Sequence, residues 1–266
     1  MTPGPTQPVV LTIAGFDPSS GAGVTADIKT LAAHRCYGVG CITALTVQST
    51  TGVRRVEPLS PGLVRQTLDE LAEDLPPAAI RIGMLATGRI AETVADFLSA
   101  SPVPHVVLDP IIKSSSGADL LDAAGVEILK TRLLPLVTVI TPNLDEAAAL
   151  TGGPVRDASE MRAAAERLQQ LGARNVVITG GHLDPPIDLL RAADGSARQF
   201  AGRRIESRST HGTGCAFAAA LAANLALGHK LDGSVQLARD YVARAIEQAV
   251  PMGRGNGPLN HFPGRG

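Results

Sequence analysis

Short apolar runs rich in β-branched residues alternate along this chain with longer segments whose apolar positions recur every three to four residues. The apolar runs predict strands at residues 9–14, 41–48, 80–85, 106–109, 137–141 and 176–179. The periodic segments predict helices at residues 24–34, 61–73, 90–99, 159–171, 214–227 and 234–250. This repeated strand–helix order predicts an α/β fold with a mostly parallel central sheet and helices on both faces.

Residues 187–192 and 198–205 flank Asp194-Gly195, which predicts a β-hairpin. No segment is rich enough in Pro, Gly or Ser to divide the chain, so we expect one domain over residues 9–266. The Pro-rich start, residues 1–8, carries no basic residue and is expected to be a loose tail rather than a signal peptide.

Composition narrows the classes of function. The 266 residues carry a net charge of −1 with no basic stripe, and only 3% are aromatic, which argues against a nucleic-acid partner. The three cysteines, Cys36, Cys41 and Cys215, fit neither a disulfide framework nor a zinc site. Because no apolar run approaches the roughly 18 residues of a membrane span, we expect no membrane partner and a cytoplasmic protein.

Ligands of parallel sheets lie beyond the C-terminal ends of the strands, so the residues that end strands are the candidates for a site. These are residues 15–17, Gln48, Gly83, Met84, Asp109, Asn143, Gly180 and Gly181.

The strongest local signal is the segment of residues 209–215, STHGTGC, which enters a helix of small residues. Gly212 and Gly214 allow the backbone to approach a ligand, and the first helical turn favours an anion such as a transferring phosphoryl group. Cys215 lies in that turn, where a thiol pKa tends to fall. The alternative is a glycine turn with a small buried cysteine, and the segment alone does not separate the two.

A second Gly/Ser-rich loop follows the first strand and ends at Asp27. It lacks the Gly-Lys-Ser/Thr of a P-loop and is not a G-x-G-x-x-G fingerprint, so it does not by itself indicate a nucleotide. Asp27 is a candidate acceptor for an amino group on a ring. The alternative is a solvated first-turn acid that the helix dipole favours.

A third signal is the strand-to-helix junction at residues 141–146, TPNLDE. Asn143 and Glu146 have the spacing of a capping box, which explains them structurally. The functional alternative is that Glu146 holds magnesium through water beside nucleotide phosphates.

Taken in order, these segments resemble the hydroxymethylpyrimidine and phosphomethylpyrimidine kinases of thiamin biosynthesis, over nearly the whole chain. The segments that carry the resemblance are residues 11–30, 42–53, 80–85 (IRIGML), 106–110 (VVLDP), 141–150 (TPNLDEAAAL), 180–183 (GGHL), 211–215 (HGTGC) and 253–258 (GRGNGP). The resemblance implies a three-layer ribokinase-like fold and the use of ATP with magnesium. It also implies phosphorylation of 4-amino-5-hydroxymethyl-2-methylpyrimidine, here called hydroxymethylpyrimidine, and then of its monophosphate.

The resemblance also implies roles for individual residues. Gln48 and Asp27 match the family's pyrimidine contacts, and Gly15 and Met84 match residues that line that pocket. The family's anion hole corresponds to Gly212, Thr213 and Gly214, and its proposed catalytic base corresponds to Cys215.

Asn143 and Glu146 match the N-x-x-E motif that the ribokinase-like fold associates with magnesium. We take Glu146 and Asp109 as candidate magnesium ligands, and Asn143, Thr179 and Gly181 as candidate nucleotide contacts. A homodimer is expected.

The chain departs from the family pattern at three places. Thr179 stands where the family usually has Lys, which predicts weaker ATP binding or a weaker second step unless Lys113 or an Arg supplies the charge. Phe16 replaces a small hydroxyl residue, and residues 110–117 lack the usual Met.

Two alternatives stay open at this point. One is a pyridoxal or pyridoxine kinase on the same fold, whose substrate is also a hydroxymethyl heteroaromatic. The other is a non-catalytic binding protein on a degenerate kinase scaffold, which Thr179 favours and the intact residues 211–215 oppose.

Overall fold

A computed structural model describes residues 7–114 and 117–264, so residues 1–6 of the predicted tail lie outside the described residues. Its strands are β1 (Val9–Phe16), β2 (Tyr37–Ser49), β3 (Gly52–Pro58), β4 (Ala79–Ile82), β5 (His105–Leu108), β6 (Val139–Ile140), β7 (Val176–Ile178), β8 (Ile187–Arg191) and β9 (Ala197–Ala201). Its α-helices are α1 (Gly23–Ala33), α2 (Pro61–Asp74), α3 (Gly88–Ala100), α4 (Ala123–Ile128), α5 (Leu144–Thr151), α6 (Ala158–Gln170), α7 (Thr213–Ala226) and α8 (Leu231–Glu247).

Within the described residues the strands form one sheet in the order β3-β2-β1-β4-β5-β6-β7-β8-β9. The six central strands, β2, β1, β4, β5, β6 and β7, pair in parallel. Antiparallel strands extend the sheet on both sides, β3 beside β2, and β8 with β9 beside β7. The predicted hairpin is confirmed: β8 and β9 pair, and Gly195 takes a left-handed conformation with φ of +82°. The pairing of the central strands confirms the predicted mostly parallel sheet.

The sheet separates two apolar cores, which makes the fold three-layered. Within β1, Leu11 and Ile13 belong to the core under α2, α3 and α6, whereas Val10 belongs to the core under α7 and α8. This alternation follows from the two-residue period of a strand. Every residue of α7 from Cys215 to Leu225 is buried, because this helix lies against β4 and β5 with α1 and α8 beside it.

Two elements were not predicted. The edge strand β3, GVRRVEP, is mostly exposed and polar, so it shows no apolar run. The short helix α4 has one buried residue, Gly125, and so shows no helical period. Two strand ends were predicted more than one residue too far: β4 ends at Ile82 rather than at residue 85, and β9 ends at Ala201 rather than at residue 205.

Over the described ranges, no helix combines the length and the apolar character needed to cross a bilayer.

Candidate active site

Three separate segments meet at the C-terminal edge of the sheet: the loop after β1, the end of β2 and the turn before α7. His211 Nε2 lies 2.8 Å from Asp17 Oδ2 and 3.2 Å from Gln48 Nε2. Asp17 also accepts hydrogen bonds from the backbone N–H groups of Ser19 and Ala22, at 2.8 and 2.9 Å. These bonds hold the first loop, the second strand and the α7 turn in one arrangement.

The contact between the two glycine-containing loops is made backbone to backbone. Gly212 has φ of +84°, and a Cβ atom on it would lie 1.9 Å from the carbonyl oxygen of Gly21. Gly23 has φ of +60°, and its Cβ would lie 2.2 Å from the Gly15 oxygen. Only glycine fits both the left-handed conformation and the contact, which explains why the sequence places glycines here.

The turn before α7 leaves the start of that helix open to a ligand. Gly212 is the N-cap residue and has no side chain to cap the first amides. Thr213 is half-buried and Gly214 is exposed. The Thr213 N–H makes only a long hydrogen bond to the Thr210 carbonyl, at 3.4 Å. The N–H groups of a first helical turn and the helix dipole together favour an anion at this place. The arrangement therefore has the chemistry expected of the Gly212–Gly214 anion hole, whose role stays a prediction.

A fully buried charge cluster lies beneath this turn. Arg81 of β4 and Asp27 of α1 have no exposed surface, and Asp109 is 5% exposed. Arg81 Nη1 lies 3.0 Å from Asp27 Oδ2, and Arg81 Nη2 lies 2.6 Å from Asp109 Oδ2. Gly83 makes room for the guanidinium group, because a Cβ atom there would lie 2.0 Å from Nη1. Cys215 completes the cluster through its contact with Arg81.

The expectation of a lowered thiol pKa at Cys215 is wrong. Burial raises the pKa of Cys215 to about 11, although the nearby Arg81 acts in the opposite direction. A thiol at the first turn of a helix titrates low only where water or cations stabilise the thiolate. Here the side chain is removed from solvent, so the thiol is protonated at neutral pH in the ligand-free protein. Its role as a base stays a prediction.

Asp27 is not the solvated first-turn acid of the alternative interpretation, because it lies inside the protein. Its Oδ2 atom accepts from the Thr12 hydroxyl at 2.5 Å and from Arg81. Burial raises the pKa of Asp27 to about 6, against the opposing effect of Arg81. Its Oδ1 atom is buried and has no hydrogen-bond partner. The contact between Asp27 and a ring amino group stays a prediction.

Gly15, Met84 and Gln48 lie at the same edge of the sheet. A Cβ atom on Gly15 would lie 2.9 Å from the Met84 sulfur, so the two residues are in contact. The Thr43 hydroxyl donates to the Met84 carbonyl at 2.6 Å and fixes the backbone there. Gln48 is half-buried and lies against His211. The structure therefore places Gly15 against Met84 and Gln48 at the same edge of the sheet, and their role in a pyrimidine pocket stays a prediction.

The candidate nucleotide residues lie further along the sheet edge. The predicted capping box is present: Asn143 Oδ1 accepts from the Glu146 N–H, and Glu146 Oε2 accepts from the Asn143 N–H, both at 2.9 Å. Thr179 donates its N–H to the Pro142 carbonyl and so lies beside Asn143. Gly181 is exposed, with open space where a Cβ would be.

The candidate magnesium ligands form an acidic pair. Burial, followed by the negative charge of Asp109, raises the pKa of Glu146 to about 8. Burial also raises the pKa of Asp109, although Arg81 opposes the shift. Among the described residues no cluster of three His, Cys, Asp or Glu side chains could hold a metal alone. Lys113 lies 3.7 Å from Asp119, and its side chain is 66% exposed.

The prediction of site residues missed His211 and Arg81, and it included Asp17 only as one of residues 15–17. Asp17 and His211 lie inside the two glycine-containing segments, but neither was assigned a role. Arg81 offered the clearest signal, because a charged residue inside an apolar strand run needs a buried partner. The C-terminal segment also contributes: Gly257 accepts from the His211 N–H at 3.1 Å, and Gly255 donates to Thr50 Oγ1 at 3.3 Å.

Comparison with known proteins decides the family. The profile of the phosphomethylpyrimidine kinase family matches residues 17–260. This chain belongs to the phosphomethylpyrimidine kinase family. The hydroxymethylpyrimidine/phosphomethylpyrimidine kinase of Haemophilus influenzae is 42% identical over 95% of this chain and 96% of its own length. The thiamine biosynthesis bifunctional protein ThiED of Geobacter sulfurreducens is 43% identical over 95% of this chain, which spans 52% of that longer protein.

Solved structures support the same assignment of fold. The pyridoxal kinase of Staphylococcus aureus, in complex with AMP-PCP and pyridoxal, superposes with a TM-score of 0.89. It is 33% identical, and the match covers 98% of this chain and 96% of that one. The predicted ribokinase-like fold and the predicted family are both confirmed, and this family member is a kinase that uses ATP.

Proposed function

We propose that this chain transfers the γ-phosphoryl group of ATP to the hydroxymethyl oxygen of hydroxymethylpyrimidine, and then phosphorylates the monophosphate, in thiamin biosynthesis. One observation carries the proposal. The Asp17–His211–Gln48 network, suited to a polar ring, continues directly into the uncapped start of α7, suited to a phosphoryl group. A pyrimidine ring that forms hydrogen bonds with Gln48 would therefore have its substituents within reach of the anion hole at Gly212–Gly214.

Phosphoryl transfer depends mainly on positioning and on stabilising negative charge. The alcohol oxygen forms a bond to the γ-phosphorus while the bond to the β–γ bridging oxygen breaks. Amides of Gly212, Thr213 and Gly214 would hold the equatorial oxygens, and the helix dipole adds to their effect.

The alcohol proton needs an acceptor, and Cys215 is the candidate. Its pKa of about 11 in the ligand-free protein means that the role requires a fall in pKa once ligands are bound. Arg81, which contacts the thiol, supplies a positive charge that stabilises a thiolate.

Magnesium fits the acidic pair of Glu146 and Asp109. The negative charge of Asp109 adds to burial in raising the pKa of Glu146, and a divalent cation would relieve that repulsion. Mg²⁺ in nucleotide sites takes one or two carboxylates plus phosphates and water. When bound, the ion neutralises phosphate charge. Asn143, Thr179 and Gly181 would then contact the nucleotide itself.

The same proposal places the enzyme in the cytoplasm as a homodimer. Three large apolar side chains of β2, those of Tyr37, Leu45 and Val47, are 54%, 45% and 56% exposed, which supports association through the face of the strand that carries them. Sedimentation equilibrium tests the homodimer, and a monomer at micromolar concentration would contradict it.

ADP release with hydroxymethylpyrimidine as acceptor tests the activity. Cys215→Ser should lower kcat at least about 100-fold with little change in stability, because it removes a thiolate and keeps a similar volume. Near-normal kcat in the variant would show that Cys215 only packs.

A pyridoxal kinase is the second candidate, favoured by the match to the S. aureus structure. Comparing kcat/KM for hydroxymethylpyrimidine and pyridoxal separates the two. No ADP release with either alcohol would favour the non-catalytic alternative.

A further inference from the structure

Two hydrogen-bonding groups contact the side-chain amide of Gln48, and each of them binds one further acceptor, so the positions of the protons in this network constrain one another. Gln48 Nε2 lies 3.2 Å from His211 Nε2, and Gln48 Oε1 lies 3.1 Å from the hydroxyl of Thr46. The same His211 atom lies 2.8 Å from Asp17 Oδ2, and the same Thr46 hydroxyl lies 2.9 Å from the Phe16 carbonyl.

Asp17 decides where the His211 proton lies. Burial would raise the pKa of Asp17, but hydrogen bonds from His211 and Ser19 outweigh it and lower the pKa, so the side chain is ionised and only accepts. His211 Nε2 must therefore carry a proton and donate it toward Asp17. A nitrogen that carries its proton in the ring plane has no lone pair left for the Gln48 NH₂ group.

Thr46 adds the same constraint from the other side. Its single hydroxyl proton serves one acceptor, and the Phe16 carbonyl, at 2.9 Å, is closer to it than the Gln48 amide atom at 3.1 Å. A Gln48 oxygen facing Thr46 would then meet only lone pairs. Turning the amide by 180° removes both conflicts: its oxygen shares the His211 N–H, and its nitrogen donates to Thr46 Oγ1.

The orientation has a consequence for any ligand. An amide has two N–H donors and two carbonyl lone pairs. The network uses one of each, which leaves one donor on the Thr46 side and one acceptor on the His211 side of the half-buried Gln48. An aminopyrimidine offers the complement, a ring nitrogen that accepts beside an amino group that donates. The 4-oxo analogue offers the reverse arrangement, a ring N–H that donates beside a carbonyl oxygen that accepts.

We propose that His211, held by Asp17, fixes the direction of the Gln48 amide and so makes the site select a 4-aminopyrimidine over its 4-oxo analogue. This inference rests on the proposed function in taking a pyrimidine as the ligand of Gln48. His211 is then a positioning residue: it acts through Gln48, and its removal frees the amide to rotate and accept either ring.

The test compares kcat/KM and calorimetric Kd for hydroxymethylpyrimidine and its 4-oxo analogue. His211→Leu removes the N–H and should reduce the amino-over-oxo ratio about 10-fold, since one hydrogen bond to a buried polar group is lost. His211→Gln places an amide N–H near the Nε2 position and should restore most of the ratio. A change of packing alone would alter both rings equally.

Thr46→Val provides a second variant away from the α7 turn. It removes the hydroxyl with little change in volume and should lower the ratio about 3- to 10-fold. Ser49→Ala is the matched control, because Ser49 lies next to Gln48 but bonds Thr51 instead. It should leave the ratio as it is.

An unchanged ratio in both His211→Leu and Thr46→Val would overturn the inference. The binding ratio decides this point even without turnover. Tight binding of the amino ring without ADP release in the wild type would contradict the proposed activity alone and leave the role of His211 supported.

Discussion

The two halves of the site differ in how strictly they require glycine. In the half that would hold the alcohol, Gly23 and Gly212 have positive φ, and a Cβ atom on either would overlap a carbonyl oxygen, that of Gly15 or that of Gly21. In the nucleotide half, a Cβ atom on Gly180 would also lie 2.2 Å from the Ile187 oxygen, but neither Gly180 nor Gly181 has positive φ, and Gly181 is exposed and faces open space. Thr179, half-buried beside Asn143, belongs to the same open side.

This difference explains why the glycines of the alcohol half are kept and why position 179 can vary, although it does not account for Phe16, which lies in the alcohol half. Loops that touch backbone to backbone accept only glycine, so the segments around Gly23 and Gly212 have little freedom to change. A side chain that faces solvent meets no such limit. The Thr at position 179, where the family usually has Lys, lies on the side of the site that tolerates substitution.

The largest effect is expected from breaking the buried cluster under the alcohol half. Arg81→Met leaves Asp27 and Asp109 without their cation, and removing one partner of a buried ion pair costs about 3–5 kcal/mol. Both carboxyls would then be protonated in the folded state at a pH where they ionise in the unfolded chain. Stability is thus lost as pH rises, and the loss should be larger at pH 8 than at pH 5.5.

Urea unfolding at the two pH values measures this loss. Arg65→Met is the matched control, because Arg65 forms an exposed pair with Asp69 on α2 and its loss should cost less than about 1 kcal/mol. A similar cost for both variants would mean that the buried cluster contributes no more than a surface pair.

Gly212→Ala and Gly181→Ala compare the packing of the two halves directly. The first forces alanine into a left-handed conformation and into the Gly21 carbonyl, and should cost about 2–3 kcal/mol and most of the activity. The second meets open space and should not change the unfolding free energy by a measurable amount. Thermal unfolding and ADP release check both, and equal effects would refute the contrast.

Gln48→Ala should act on the alcohol half alone. The KM for hydroxymethylpyrimidine should rise by the equivalent of about 1–3 kcal/mol, because a donor and an acceptor of the ring lose their partners. The KM for ATP should stay nearly the same. Steady-state kinetics with each substrate varied in turn checks this, and an equal rise in both constants would point to a general folding defect.

Thr179→Lys should give the smallest effect and tests the open half. The second step places an already phosphorylated substrate near ATP, so an added cation should help it more than the first step, by about 2- to 5-fold. Salt should depress the wild-type second step modestly, because exposed charges are screened. Equal changes in both steps, or a loss in both, would mean that another cation such as Lys113 already serves the phosphates.

Local structure could be predicted from the sequence where the residues involved are close together in the chain. The capping box of Asn143 and Glu146 spans one helical turn and formed as predicted. The Asp194-Gly195 turn likewise formed the hairpin that its residues favour. The order of glycine-containing segments was enough to predict the family, which the comparisons confirmed.

The electrostatic state of the site was decided only by tertiary structure. Arg81 meets Asp27 and Asp109, and Gln48 meets His211 across 163 residues of chain, through folding that no local pattern encodes. The direction of the thiol pKa at Cys215 was predicted wrongly for the same reason. The place of Cys215 in the first turn of α7 depends on adjacent residues, whereas the desolvation of its thiol depends on everything packed around the sulfur. The sequence by itself determined the fold, the family and the loops, and the packing of distant segments determined which charges the site holds.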